Sequence, residues 1–108
     1  MGKIEKSVYE MVVATAGDYH RMKRLLDSGE TSRSQTVVFV KKVSAIDNAL
    51  IAVCSDEKPE ARLALLDDIA NKRGFEKGVS VKFYTTSGVF WRRKKDAIYM
   101  IAKMLELI

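Results

Sequence analysis

Residues 85–102, Thr-Thr-Ser-Gly-Val-Phe-Trp-Arg-Arg-Lys-Lys-Asp-Ala-Ile-Tyr-Met-Ile-Ala, leave this chain few ways to fold. A turn suited to starting a helix runs into four consecutive cations, and an apolar series of helical period follows. With Phe90 as origin and about 100° per residue, Phe90, Ala97, Ile98, Ile101, Met104, Leu105 and Ile108 share one broad face. Arg92, Lys95, Asp96, Tyr99 and Lys103 share the opposite one, Trp91 and Arg93 stand at the borders, and Lys94 falls near the apolar side. The apolar face commits this helix to a core, and that commitment fixes where its cations point. The helix is expected from about Val89 to near the C-terminus, with Ser87 as its cap.

The same periodicity organises the rest of the chain. Ile4, Val8, Met11, Val12, Tyr19, Met22, Leu25 and Leu26 recur at mostly three, four and seven, predicting one helix with a weak point at Gly17-Asp18. Asp27 to Ser34 is polar and rich in turn formers, hence a loop, and Ser34 is the expected cap of a second helix reaching Cys54. The stripe of that helix is Val37, Val40, Ile46, Leu50, Val53 and Cys54. Residues 36–43 are β-branched and would suit a strand, but no neighbour offers an alternating partner, so helix is the reading. Ser55 to Pro59 opens a third helix, which buries Leu63, Leu66, Ile69 and Ala70 and stops at Gly74. Val79 to Tyr84 alternates like a strand, yet a short helix ahead of the Thr85–Gly88 turn fits its neighbours better.

The expectation is therefore an all-α, compact four- to five-helix domain with a C-terminal helix-turn-helix. Its 108 residues suit a single domain (1–108), with an N-terminal helical part (3–54) and a helix-turn-helix part (56–108). Roughly half the residues are apolar, which excludes a disordered or fibrous chain. A lone Cys54 cannot form an internal bridge, and with a single histidine no Cys/His metal cluster is available. Lys3, Glu5 and Lys6 interrupt any secretory signal, and no run approaches a membrane span. A cytoplasmic protein with no membrane partner is expected, and no cofactor is implied.

Charge distribution points to the partner. Nine cations between Asn71 and Lys103 face only Glu76 and Asp96, a net +7, which leaves −2 for the remainder of a +5 chain. A cationic half of this kind suits a polyanion. Four cations at a helix start oppose the macrodipole, at about 0.3–1 kcal/mol each, so something other than helix stability keeps them there. The alternative is an ordinary solvated charge run. Thr85, Thr86, Ser87 and Gly88 offer hydroxyls and amides to a phosphate. Arg92 and Arg93 can present paired donors to guanine edges or phosphates, and Lys95 and Lys103 suit backbone contacts. These eight residues form the candidate DNA-binding site. Trp91 and Tyr99 can stack on bases, although aromatics at helical spacing more often serve a core.

From Ser87 to Leu105 the chain also resembles the end of the ArpU/RinA-like phage-encoded transcriptional regulators. Those close on a serine, an aromatic pair, basic residues, Ala-Ile-Tyr-x-x-Ala and a leucine-rich turn, and are similar to the helix-turn-helix of sigma-factor region 4. The likeness covers residues 79–107 and implies a recognition helix just after Ser87, with Arg92 and Arg93 facing DNA, in control of late phage genes. The family's helix ahead of the turn is longer than Val79–Tyr84.

No catalytic constellation is legible, so an enzyme is not expected. His20 reads as a surface residue, Asp67-Asp68 as solvated surface and Asp56-Glu57 as first-turn charge. Two other readings compete: a DNA-packaging component of the small terminase type, and a helical module contacting RNA polymerase. A packaging component would form a ring, whereas the regulator is expected as a monomer or homodimer.

Overall fold

The computed structural model describes residues 3–108. It is all-helical: α1 (Lys6–Ser28), α2 (Arg33–Val53), α3 (Pro59–Ala70), a single 3-10 turn (Val79–Lys82) and α4 (Ser87–Met104). The four α-helices gather round one core, and α4 lies most extensively along α2, with α1 against both α2 and α3. Val12, Met22, Ile46, Leu65, Leu66, Ile69, Phe90 and Ile101 are its largest fully buried apolar side chains. No helix among the described residues is long and apolar enough to cross a membrane.

The weak point at Gly17-Asp18 is bridged. Val12, Ala16, Tyr19 and Met22 bury one uninterrupted face across it, and Asp18 accepts two hydrogen bonds from Arg21, at 3.0 and 2.9 Å, within the same helix. Gly17 is exposed, and a Cβ there meets nothing within 4 Å. Gly17→Ala is therefore expected to raise stability by about 0.8–1 kcal/mol, read as a higher urea midpoint at unchanged slope; a lower midpoint would mean the glycine is needed for its backbone.

Several boundaries differ from expectation, each for a local reason. Helix α1 runs on to Ser28, where Gly29, at φ 72°, ends it in the left-handed conformation that glycine adopts most readily. Ser32, not Ser34, caps α2: its hydroxyl accepts from the Gln35 amide while the Gln35 side chain accepts from the Ser32 amide. The spacing Ser-x-x-Gln satisfies two orphan donors at once, which a cap at Ser34 would not. The β-branched stretch 36–43 is helical, but Val37 and Val40 are 66% and 48% exposed, and the buried stripe of α2 starts only at Val43. Helix α3 stops before Gly74, through Lys72 at φ 55°. Its buried face is rotated from the expected one, taking in Leu65 and Asp68 and leaving Leu63 exposed. Thr86, not Ser87, caps α4, its hydroxyl accepting from the Val89 amide.

Burial also decides the two acidic pairs. Asp68 is fully buried and Glu57 half-buried, so neither pair is simply solvated charge. Cys54 is fully buried; burial first, then the neighbouring Glu57 carboxylate, push its thiol up to about 12. It stays protonated and unreactive at neutral pH.

Candidate nucleic-acid interface

The N-terminal half of α4 is held by two webs that differ in kind. One joins it to the connection between α2 and α3. The Arg93 guanidinium donates to the backbone carbonyl of Val53 and to Asp56 Oδ2 at 3.0 Å, and its Nε lies 3.8 Å from Glu57 Oε1. Val53 is the last residue of α2, so Arg93 supplies a donor and a positive charge where the helix leaves its final carbonyls unpaired. Tyr84 donates to the other oxygen of Glu57 at 2.9 Å, and burial first, then that carboxylate, raise the phenol well above its ordinary range.

The second web is centred on Asp68. Its two oxygens accept from the amides of Val79 (2.9 Å) and Ser80 (2.8 Å), while Arg73 Nε approaches to 3.3 Å as a charge contact. A buried carboxylate thus holds the start of the 3-10 turn that leads into α4. A Cβ on Gly78 would stand 2.6 Å from Asp68 Oδ2 and 2.7 Å from the Gly74 carbonyl, so this close approach excludes any side chain there. Alongside, Lys94 is buried and donates to the Arg73 carbonyl at 2.7 Å, with its ammonium 5.8 Å from the Phe90 ring and 5.2 Å from that of Trp91. Desolvation lowers its pKa, and the charge of Asp68 partly opposes that shift.

Two of the four consecutive cations therefore have internal work, and this corrects the expected site at one position. Arg93 points inward, to carboxylates and a carbonyl of its own chain, rather than outward. Sequence reasoning gave it the same role as Arg92 because its partners lie 37 and 40 residues away. The near-apolar position read for Lys94 is its observed position.

The other candidate residues stand at the surface. Thr85, Thr86, Ser87, Gly88, Arg92, Lys95 and Lys103 are all exposed, and Gly88, Arg92, Lys95, Tyr99 and Lys103 follow one another at spacings of four, three, four and four along α4. That spacing makes one stripe, about 1.5 Å of rise per residue, so Arg92 to Lys103 covers roughly 16 Å. Among the described residues no carboxylate pairs with Arg92, Lys95 or Lys103. Asp96, half-buried, is the one acid beside the stripe. Lys72, Lys77 and Lys82 are also exposed on the segment leading to α4.

Ahead of the Thr85–Gly88 turn stands one 3-10 turn of four residues rather than an α-helix, and the nearest α-helix upstream is α3. His20, on α1, is exposed and lies 3.1 Å from Asp67. Among the described residues no group of three His, Cys, Asp or Glu stands close enough to hold a metal ion. Comparison with protein-family models, curated proteins and solved structures finds no match to this chain.

Proposed function

We propose that the chain is a sequence-specific duplex DNA-binding regulator of phage or prophage type that uses α4 as its recognition helix. The observation that carries this reading is the unpaired stripe of Arg92, Lys95 and Lys103 on a helix whose other face is locked into the core. A helix of this diameter enters a major groove about 12 Å wide. In that pose Arg92 presents a two-pronged donor to a guanine edge, while Lys95 and Lys103 meet phosphates. The exposed Thr85–Gly88 turn brings hydroxyls and amides to the flanking backbone. Arg93 and the Asp68 web act as positioning groups, which hold the angle at which α4 leaves the domain. A helix-turn-helix has an α-helix ahead of its turn, and the single 3-10 turn Val79–Lys82 is not one, so the reading rests on the stripe of α4 and not on that motif.

Binding to random-sequence duplex should fall steeply with salt. Three neutralised phosphates give a slope of log K against log salt near roughly −3, measured by anisotropy of a labelled duplex. Binding that ignores salt, or no binding at low salt, would remove the electrostatic basis of the reading.

A further inference from the structure

Beside the start of α4 lies a groove of about 400 Å³, lined by Gly74, Phe75, Glu76, Lys77, Ser87 and Trp91. Its size falls in the range of clefts that take small planar ligands. Trp91 is 51% exposed, a large apolar cost for a residue that the core does not need. The indole is nonetheless held in place. Phe90 meets it edge-on at 5.2 Å and 77°, the buried Lys94 ammonium lies over its ring at 5.2 Å, and the backbone at Gly74 runs beside its benzene edge. A half-exposed aromatic plate and a lysine lining the same groove match a nucleobase and the phosphate attached to it.

We propose that this groove receives an unpaired base of bound DNA, stacked on Trp91, with its phosphate at Lys77. The inference rests on the reading of α4 as a DNA-binding helix and extends it, since the groove opens at the end of α4 where Ser87 and the Thr85–Gly88 turn stand. The charge around it is complementary: Lys72 and Lys77 are exposed on the neighbouring segment, and Glu76 is the only acid on the groove wall. Stacking of a base on an aromatic side chain is sequence-tolerant, so the groove adds affinity for distorted or single-stranded DNA without adding a second code.

Trp91 is the single tryptophan of the chain, so its fluorescence reports on the start of α4 and the groove beside it. A short single-stranded oligonucleotide and the same sequence as a fully paired duplex are titrated separately, with anisotropy of the labelled DNA read in parallel. The single strand is expected to quench Trp91 emission. Trp91→Ala should weaken single-strand binding by at least about fivefold, with Trp91→Phe restoring most of it and Lys77→Ala weakening it independently. Far-UV circular dichroism on each variant separates this from misfolding. Duplex and single strand both bound, with emission unchanged and Trp91→Ala silent, would overturn the groove assignment while leaving the role of α4 intact. Neither DNA bound by anisotropy would overturn both.

Discussion

Asp68→Ala is expected to lower the unfolding free energy by about 3–5 kcal/mol, as much as truncating a large core side chain. The carboxylate is fully buried and satisfies two backbone amides, those of Val79 and Ser80, while offsetting the charge of Arg73. Its removal strands both amides and a half-buried guanidinium, and each such group carries its own desolvation penalty. Asp68→Asn keeps the shape but turns an amide donor toward an N–H, so it should fall between wild type and alanine. Gly78→Ala approaches the same site from the other side, because its Cβ would overlap both the carboxylate and the Gly74 carbonyl. Urea unfolding of the three variants tests this directly. An Asp68→Ala midpoint within error of wild type would mean that the turn into α4 is held by something other than this carboxylate.

The largest effect on binding is expected from Arg92→Ala combined with Lys95→Ala. Two charge-assisted contacts, at about 1.5 kcal/mol each, correspond to a loss of about 100-fold in duplex affinity. Stability should change by no more than about 0.5 kcal/mol, since both side chains are exposed and unpaired. Arg93→Ala should do the reverse. It leaves the Val53 carbonyl and Asp56 without their donor, removes the charge facing Glu57 and costs about 1–3 kcal/mol of stability, yet its folded fraction should retain most of its affinity, because the Asp68 web still holds the start of α4. Anisotropy and urea unfolding on the same preparations separate these outcomes. Full affinity in the double variant, or loss of binding without loss of stability in Arg93→Ala, would reverse the roles assigned to neighbouring arginines.

That split between Arg92 and Arg93 also marks how far the sequence could be read. Helical periodicity is local, so it located all four helices and the core face of α4 through Phe90, Ala97, Ile98 and Ile101. It predicted the burial of Cys54 and put Lys94 near the apolar side, though not that the ammonium would be buried on the Arg73 carbonyl. It failed where a residue's fate depends on distant chain. Arg93 looks like Arg92 until Asp56, Glu57 and Val53 are folded beside it. Asp68 reads as solvated because its partners are backbone amides, which have no side-chain signature. The one available signal was Gly78, a glycine next to the Val79 donor, but Asp68 lies eleven residues before Val79, too far along the chain to suggest an acid beneath it. Caps were misplaced by one or two residues where serines and threonines are adjacent, since composition cannot choose among neighbours and hydrogen-bond geometry can. Val37 and Val40 were expected in the core because they continue the helical stripe of Ile46, Leu50 and Val53, whereas the fully buried face of α2 starts only at Val43 and, ahead of it, Phe39 is the side chain that packs against the core.

Amide chemical-shift changes on adding duplex DNA to the labelled protein measure most directly which surface meets the nucleic acid. The shifts should concentrate at Thr85–Gly88, Arg92, Lys95 and Lys103 and leave the exposed start of α2 unmoved. Shifts confined to α1 and α2, with the α4 stripe silent, would contradict the assignment of α4 as the helix that meets DNA.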